Sequence, residues 1–130
     1  MKIGKELAMS DRDLVFIIYV SDMNTSIEFY TTLLGLETSF ESPRYVTMDL
    51  APGVSLALWT GESSALTKAG ARTTEVCVNL HGGRDKILAT YDEWTHHGVT
   101  VVKEPYDEVF GTTFVVADPD GNLIRVAPVD

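Results

Sequence analysis

Residues 110–130 read FGTTFVVADPDGNLIRVAPVD, and this stretch decides the fold. Two runs rich in β-branched residues, 112–117 and 123–127, flank Asp118-Pro119-Asp120-Gly121-Asn122. Proline presets φ near −65° and glycine supplies positive φ, so the segment predicts a hairpin that closes the chain.

Outward from that hairpin, the chain alternates strand and helix signals. Residues 14–20 are apolar and β-branched and predict a buried strand. Ser21, Asp22, Asn24 and Thr25 offer capping side chains before a helix whose stripe is Met23, Ile27, Tyr30 and Leu34, closed by Gly35. Strands follow over 36–41, 44–50 and 54–59, with Pro and Gly between them. A small, polar stretch at 61–72 reads as a linker. The order then repeats: a strand over 73–80, a helix over 85–97 with Ile87, Leu88, Tyr91 and Trp94 on one face, a strand over 99–103, and the final hairpin. The recurrence of helix, glycine, strand marks an internal duplication of a βαβββ unit, with one copy over about 13–60 and the other over 73–130. The expected class is α+β.

Composition narrows the function. A chain of 130 residues with 45% apolar content suits one domain with a real core. Its net charge of −9 gives a pI near 4.6, against nucleic-acid or anionic-membrane binding, both of which need clustered Lys and Arg. No apolar run approaches the roughly 20 residues of a membrane span, and no signal peptide is visible, so the expected location is the cytoplasm. The single cysteine, Cys77, reads as a small buried strand residue. His96 and His97 are adjacent on a helix end, His81 precedes Gly-Gly, and none of the three is expected to bind metal.

VSDMNTSIEFYTTLLGLE at 20–37 and VADPDGNLIRV at 116–126, together with the duplicated unit, resemble the vicinal oxygen chelate superfamily of glyoxalases, bleomycin resistance proteins and dioxygenases. The resemblance spans nearly the whole chain. It implies tandem βαβββ modules whose curved mixed sheets form a cup, commonly in a homodimer, holding a divalent metal or an organic ligand. The metal-ligand positions of the family's enzymes map here to Val15, Ala57, Thr73 and Arg125. Valine and alanine have no donor atom, a guanidinium has no lone pair to give, and a lone threonine hydroxyl does not hold a transition metal. A metal-dependent lyase, isomerase or dioxygenase is therefore the lesser expectation, and no cofactor is expected. PRYVTM at 43–48, ALWTG at 57–61 and KEPYDEVFG at 103–111 are similar to the drug-sequestering branch that binds phenazine antibiotics such as griseoluteic acid. The implied ligand is a planar aromatic small molecule held between aromatic side chains.

Strand parity selects the side chains on the former ligand face. Trp59, Ser55 and Ala57 share one strand face, Glu75 and Cys77 another, and Arg125 stands on the last strand. Trp59 is the first choice as a stacking platform. Tyr106 and Phe110, expected in a loop over 104–111, are candidates for the ligand's other face. Arg125 and Glu75 are read two ways, as a compensating ion pair or with Arg125 forked onto a ligand carboxylate. Arg44 is a second basic candidate, Ser55 and Thr113 are minor hydroxyl donors, and Glu75 would be the base of any metal-free enzyme. Trp94 is expected in the core.

Overall fold

A computed structural model describes residues 13–61 and 74–129. The lead at 1–12, most of the expected linker, Thr73 and Asp130 lie outside the described residues. The chain divides into two compact units. The first contains β1 (Leu14–Tyr19), α1 (Met23–Leu34), β2 (Thr38–Glu41), β3 (Tyr45–Ala51) and β4 (Val54–Trp59). The second contains β5 (Glu75–Leu80), α2 (Gly83–His96), β6 (Thr100–Glu108), β7 (Gly111–Ala117) and β8 (Leu123–Pro128).

Each unit has one four-stranded sheet, ordered β1-β4-β3-β2 in the first and β5-β8-β7-β6 in the second. In both, the first strand runs parallel to the last and the remaining pairs are antiparallel. A parallel pair needs a crossover, and the helix of each unit lies in the connection that follows the first strand. The duplication seen in the sequence is thus a duplication of topology. The fold is α+β, with two mixed sheets and two helices.

Local chemistry explains the boundaries. Asp22 caps α1 by accepting a hydrogen bond from the Thr25 backbone N–H at 3.0 Å. The closing hairpin pairs Phe114 with Val126 and Val116 with Ile124, and all four are buried on the α2 side of the sheet. Phe114 anchors this core, with Tyr91 and Trp94 packed edge-on at ring separations of 5.2 and 5.8 Å. Trp94 is a core residue, as its place in the helical stripe predicted.

The turn between β7 and β8 is held by Asp118, which is 3% exposed. Its carboxylate accepts from the backbone N–H groups of Asp120 and Asn122 and from the Asn122 amide, at 2.9, 2.8 and 2.8 Å. Gly121 takes φ +88°, where a side chain would be strained.

Two expectations fail here. The strand at 14–20 was expected to be buried, yet Leu14, Val15, Phe16 and Ile17 are 44–54% exposed. β1 is an edge strand paired only with β4, so apolar composition alone does not cover it among the described residues. The expected loop over 104–111 is instead the end of β6, the start of β7 and a tight turn at Val109-Phe110. Pro105 is tolerated because β6 is the outer strand and its register slips between Lys103 and Tyr106, so the missing N–H costs no ladder bond.

Replacing Asp118 with alanine removes a buried acceptor from three donors. The expected loss is about 2 kcal/mol in urea unfolding, since hydrogen bonds to charged groups are each worth ~1.5–3 kcal/mol and water recovers part of that. An unchanged midpoint would show that the turn does not depend on this side chain.

Candidate functional site

The second unit carries the densest group of candidate residues. β5 alternates strictly, turning Val76, Val78 and Leu80 toward the covered face and leaving Glu75, Cys77 and Asn79 on the open face. Parallel pairing sets Cys77 opposite Arg125 and Asn79 opposite Ala127 on β8. Those five residues, with Glu108, Phe110 and Pro128, line an open pocket of about 400 Å³. That volume suits a drug-sized ligand.

Arg125 organises the polar side of the pocket. Its Nε donates to Glu75 Oε1 at 2.6 Å, and Nη1 donates to the Tyr106 hydroxyl at 2.9 Å and to Thr113 Oγ1 at 3.3 Å. Thr113 is fully buried and in turn donates to the Val126 carbonyl at 2.6 Å, which ties the guanidinium to the sheet backbone. The hydrogen bond that Arg125 donates to Glu75 holds the guanidinium above its ordinary pKa, the Tyr106 hydroxyl adds to this, and burial opposes it. The charge is therefore permanent. Phe110 places its ring centroid 6.0 Å from the guanidinium carbon, at the outer limit of a cation–π contact. The Lys103 ammonium sits over the Tyr106 ring, 3.9 Å from its centroid.

Of the two roles read for Glu75 and Arg125, the ion pair is present. A bidentate grip on a carboxylate needs two free N–H edges, and here only Nη2 has no partner among the described residues. Cys77 corrects its expected burial. Its thiol is exposed on the pocket face and donates to Asn79 Oδ1 at 3.0 Å. Partial burial pushes the thiol pKa up, Glu75 adds to the rise, and Arg125 lowers it.

The first unit holds the other candidates separately. Trp59, at the end of β4, has the Tyr19 ring at 5.8 Å and a 34° tilt. The Gly61 backbone presses on the same indole, where an added methyl group would overlap the ring. Ser55 donates to Asp49 Oδ1 at 3.2 Å. Ala57 is fully covered between its neighbours, and Arg44 is exposed in the turn before β3.

Sequence reasoning put Trp59, Tyr106, Phe110, Arg125, Arg44, Ser55, Ala57 and Glu75 on one ligand site. The structure brings Glu75, Tyr106, Phe110 and Arg125 together in the second unit, while Trp59, Ser55, Ala57 and Arg44 belong to the first. Sequence reasoning missed Asn79, Glu108 and Pro128. The signal was present for Glu108, which shares parity with Tyr106 once 104–108 is read as strand.

Residues 14–126 match the model of the Glyoxalase/Bleomycin resistance protein/Dioxygenase superfamily. The chain is 37% identical over 117 residues to the phenazine antibiotic resistance protein EhpR of Enterobacter agglomerans, covering 88% of this chain and 89% of that one. Among solved structures it resembles a glyoxalase-related enzyme from Fulvimarina pelagi, with TM-score 0.75 and 18% identity over 91% of this chain and 88% of the other. It also resembles TnmS3, an antibiotic binding protein from Streptomyces sp. CB03234, with TM-score 0.68 and 21% identity over 92% and 96% of the two chains. The chain belongs to the glyoxalase/bleomycin resistance/dioxygenase superfamily. Its residues do not fit the divalent metal of the family's enzymes. Val15 and Ala57 have no donor atom, Arg125 brings a fixed positive charge, and among the described residues no three His, Cys, Asp or Glu side chains are placed to share an ion. Among the described residues no helix is long and apolar enough to cross a membrane.

Because burial and Glu75 both disfavour the thiolate, the pH–rate profile of Cys77 alkylation should have its midpoint above that of a free cysteine. Glu75→Gln should shift that midpoint down and Arg125→Ala should shift it up. A midpoint insensitive to both would show that the three groups do not share one electrostatic environment.

Proposed function

We propose that this protein captures a planar aromatic antibiotic of the phenazine class and confers resistance by sequestration, without metal or chemistry. The observation that carries this reading is the 37% identity, over most of both chains, to a phenazine antibiotic resistance protein. The pocket of the second unit supports it, with Phe110 beside a guanidinium whose Nε and Nη1 are already held by protein partners. An aromatic wall and a fixed polar rim suit a flat heterocycle, whose rings stack while its edge finds hydrogen bonds.

Tyr106 and Phe110 are the proposed aromatic contacts of the second unit, with Arg125 and Glu75 orienting the polar edge. Trp59 is the proposed stacking platform of the first unit, accompanied by Ser55, Ala57 and Arg44. The protein is proposed to act as a cytoplasmic homodimer. Protection by mass action requires a dissociation constant of about micromolar or tighter, roughly −8 kcal/mol. No proton transfer is assigned to Glu75, because its Oε1 is occupied by Arg125.

Calorimetric titration with a panel of phenazines should give one site per chain at about micromolar affinity or better, unchanged after treatment with a chelator. Phe110→Ala should weaken binding by about 2–12-fold, the equivalent of ~0.5–1.5 kcal/mol of aromatic contact. Trp59→Ala should weaken it by a similar factor. Affinity lost with the chelator and restored by a divalent ion would favour a metal-dependent enzyme instead.

A further inference from the structure

We propose that the ligand edge received by the second unit's pocket is a hydrogen-bond donor, uncharged or cationic, such as an amide, amine or aminoaryl group, and not a carboxylate. This rests on the sequestration reading and specifies its ligand.

Arg125 has its Nε on Glu75 and its Nη1 on Tyr106 and Thr113, which leaves Nη2 alone among the described residues. An incoming carboxylate would find one free guanidinium nitrogen, whose two N–H bonds diverge, where a fork needs parallel N–H bonds from two nitrogens. To obtain a second it would have to displace Glu75 from Nε, stranding that carboxylate beside itself, or displace both the Tyr106 and the Thr113 hydroxyls from Nη1. Glu75 keeps Oε2 open, because only Oε1 faces the guanidinium. Glu108 brings another carboxylate to the lining, so two acidic groups stand against one basic group there. Asn79 accepts from Cys77 and leaves only its uncharged amide N–H groups as donors. Lys103 is engaged on the Tyr106 ring and does not line the pocket.

Open acceptors thus outnumber open charged donors, and the lining is net negative within a protein of net charge −9. A ligand N–H satisfies Glu75 Oε2 or Glu108, and an adjacent carbonyl or ring nitrogen accepts from Arg125 Nη2. A bare carboxylate brings no donor to Glu75 Oε2 or to Glu108 and repels both side chains, an arrangement that excludes a partner more than it recruits one.

The test compares phenazine-1-carboxamide with phenazine-1-carboxylate, which differ by one nitrogen for one oxygen, by calorimetry on the full chain at neutral pH. The carboxamide should bind at least about tenfold more tightly. Glu75→Gln keeps an acceptor for Arg125 Nε and removes the charge, so it should raise affinity for the carboxylate and narrow the gap. Glu108→Gln should act in the same direction, and because Glu108 makes no bond with Arg125 it separates charge from any disturbance of the network. Equal or tighter binding of the carboxylate by the unmodified protein, or a gap untouched by both variants, would overturn the inference while leaving sequestration in place. Failure of both phenazines to bind would overturn the sequestration reading and this inference with it.

Discussion

A guanidinium cannot shed its proton, so a strand that carries one on a half-covered sheet face must supply its counter-charge. On β8 that requirement is met by Glu75 from the neighbouring parallel strand, with Tyr106 and Thr113 taking the remaining geometry. The register of β5 against β8 therefore fixes more than backbone pairing: a slip of one residue would turn Glu75 to the α2 side of the sheet and leave Arg125 uncompensated. The pocket's polarity follows from that pairing. What remains open to a ligand is what Arg125 has not already claimed.

The duplicated topology places equivalent strands in the two units, but their open faces carry different chemistry. β8 presents Arg125, while the corresponding β4 presents Ser55, the covered Ala57 and Trp59. In the proposed reading, these substitutions favour capture of a ligand over coordination of a metal. Half-exposed ion pairs contribute little stability, typically under about 1 kcal/mol. The Arg125 network is thus better understood as a device that shapes the site than as one that holds the fold together. The fold rests on Phe114 and its neighbours and on the Asp118 turn.

Most of the architecture was legible in the sequence because its punctuation is chemical. DPDGN specified a turn, Asp22 a cap, and the 3.6-residue stripe of α2 the burial of Ile87 and Trp94. Three features were not. Residues 104–111 were expected as a loop, and only the outer position of β6 reveals that a strand carrying Pro105 is allowed there. The apolar run of β1 looked buried because composition reports preference, whereas burial depends on what lies against an edge strand. Cys77 was expected to be buried because small apolar residues usually are, although its parity with Glu75 already placed it on the open face. The site followed the same pattern: the group around Arg125 could be assembled from parity and resemblance, but the number of its free N–H edges could not be counted without coordinates.

The central claim is that this protein holds its ligand and leaves it unaltered. The most direct measurement is mass spectrometry of a phenazine recovered from the protein. A phenazine bound to chelator-treated protein over many hours, then released by denaturation, should be recovered at its original mass and at one equivalent per chain. Recovery of a product of altered mass, or substoichiometric protein converting excess phenazine, would contradict the account.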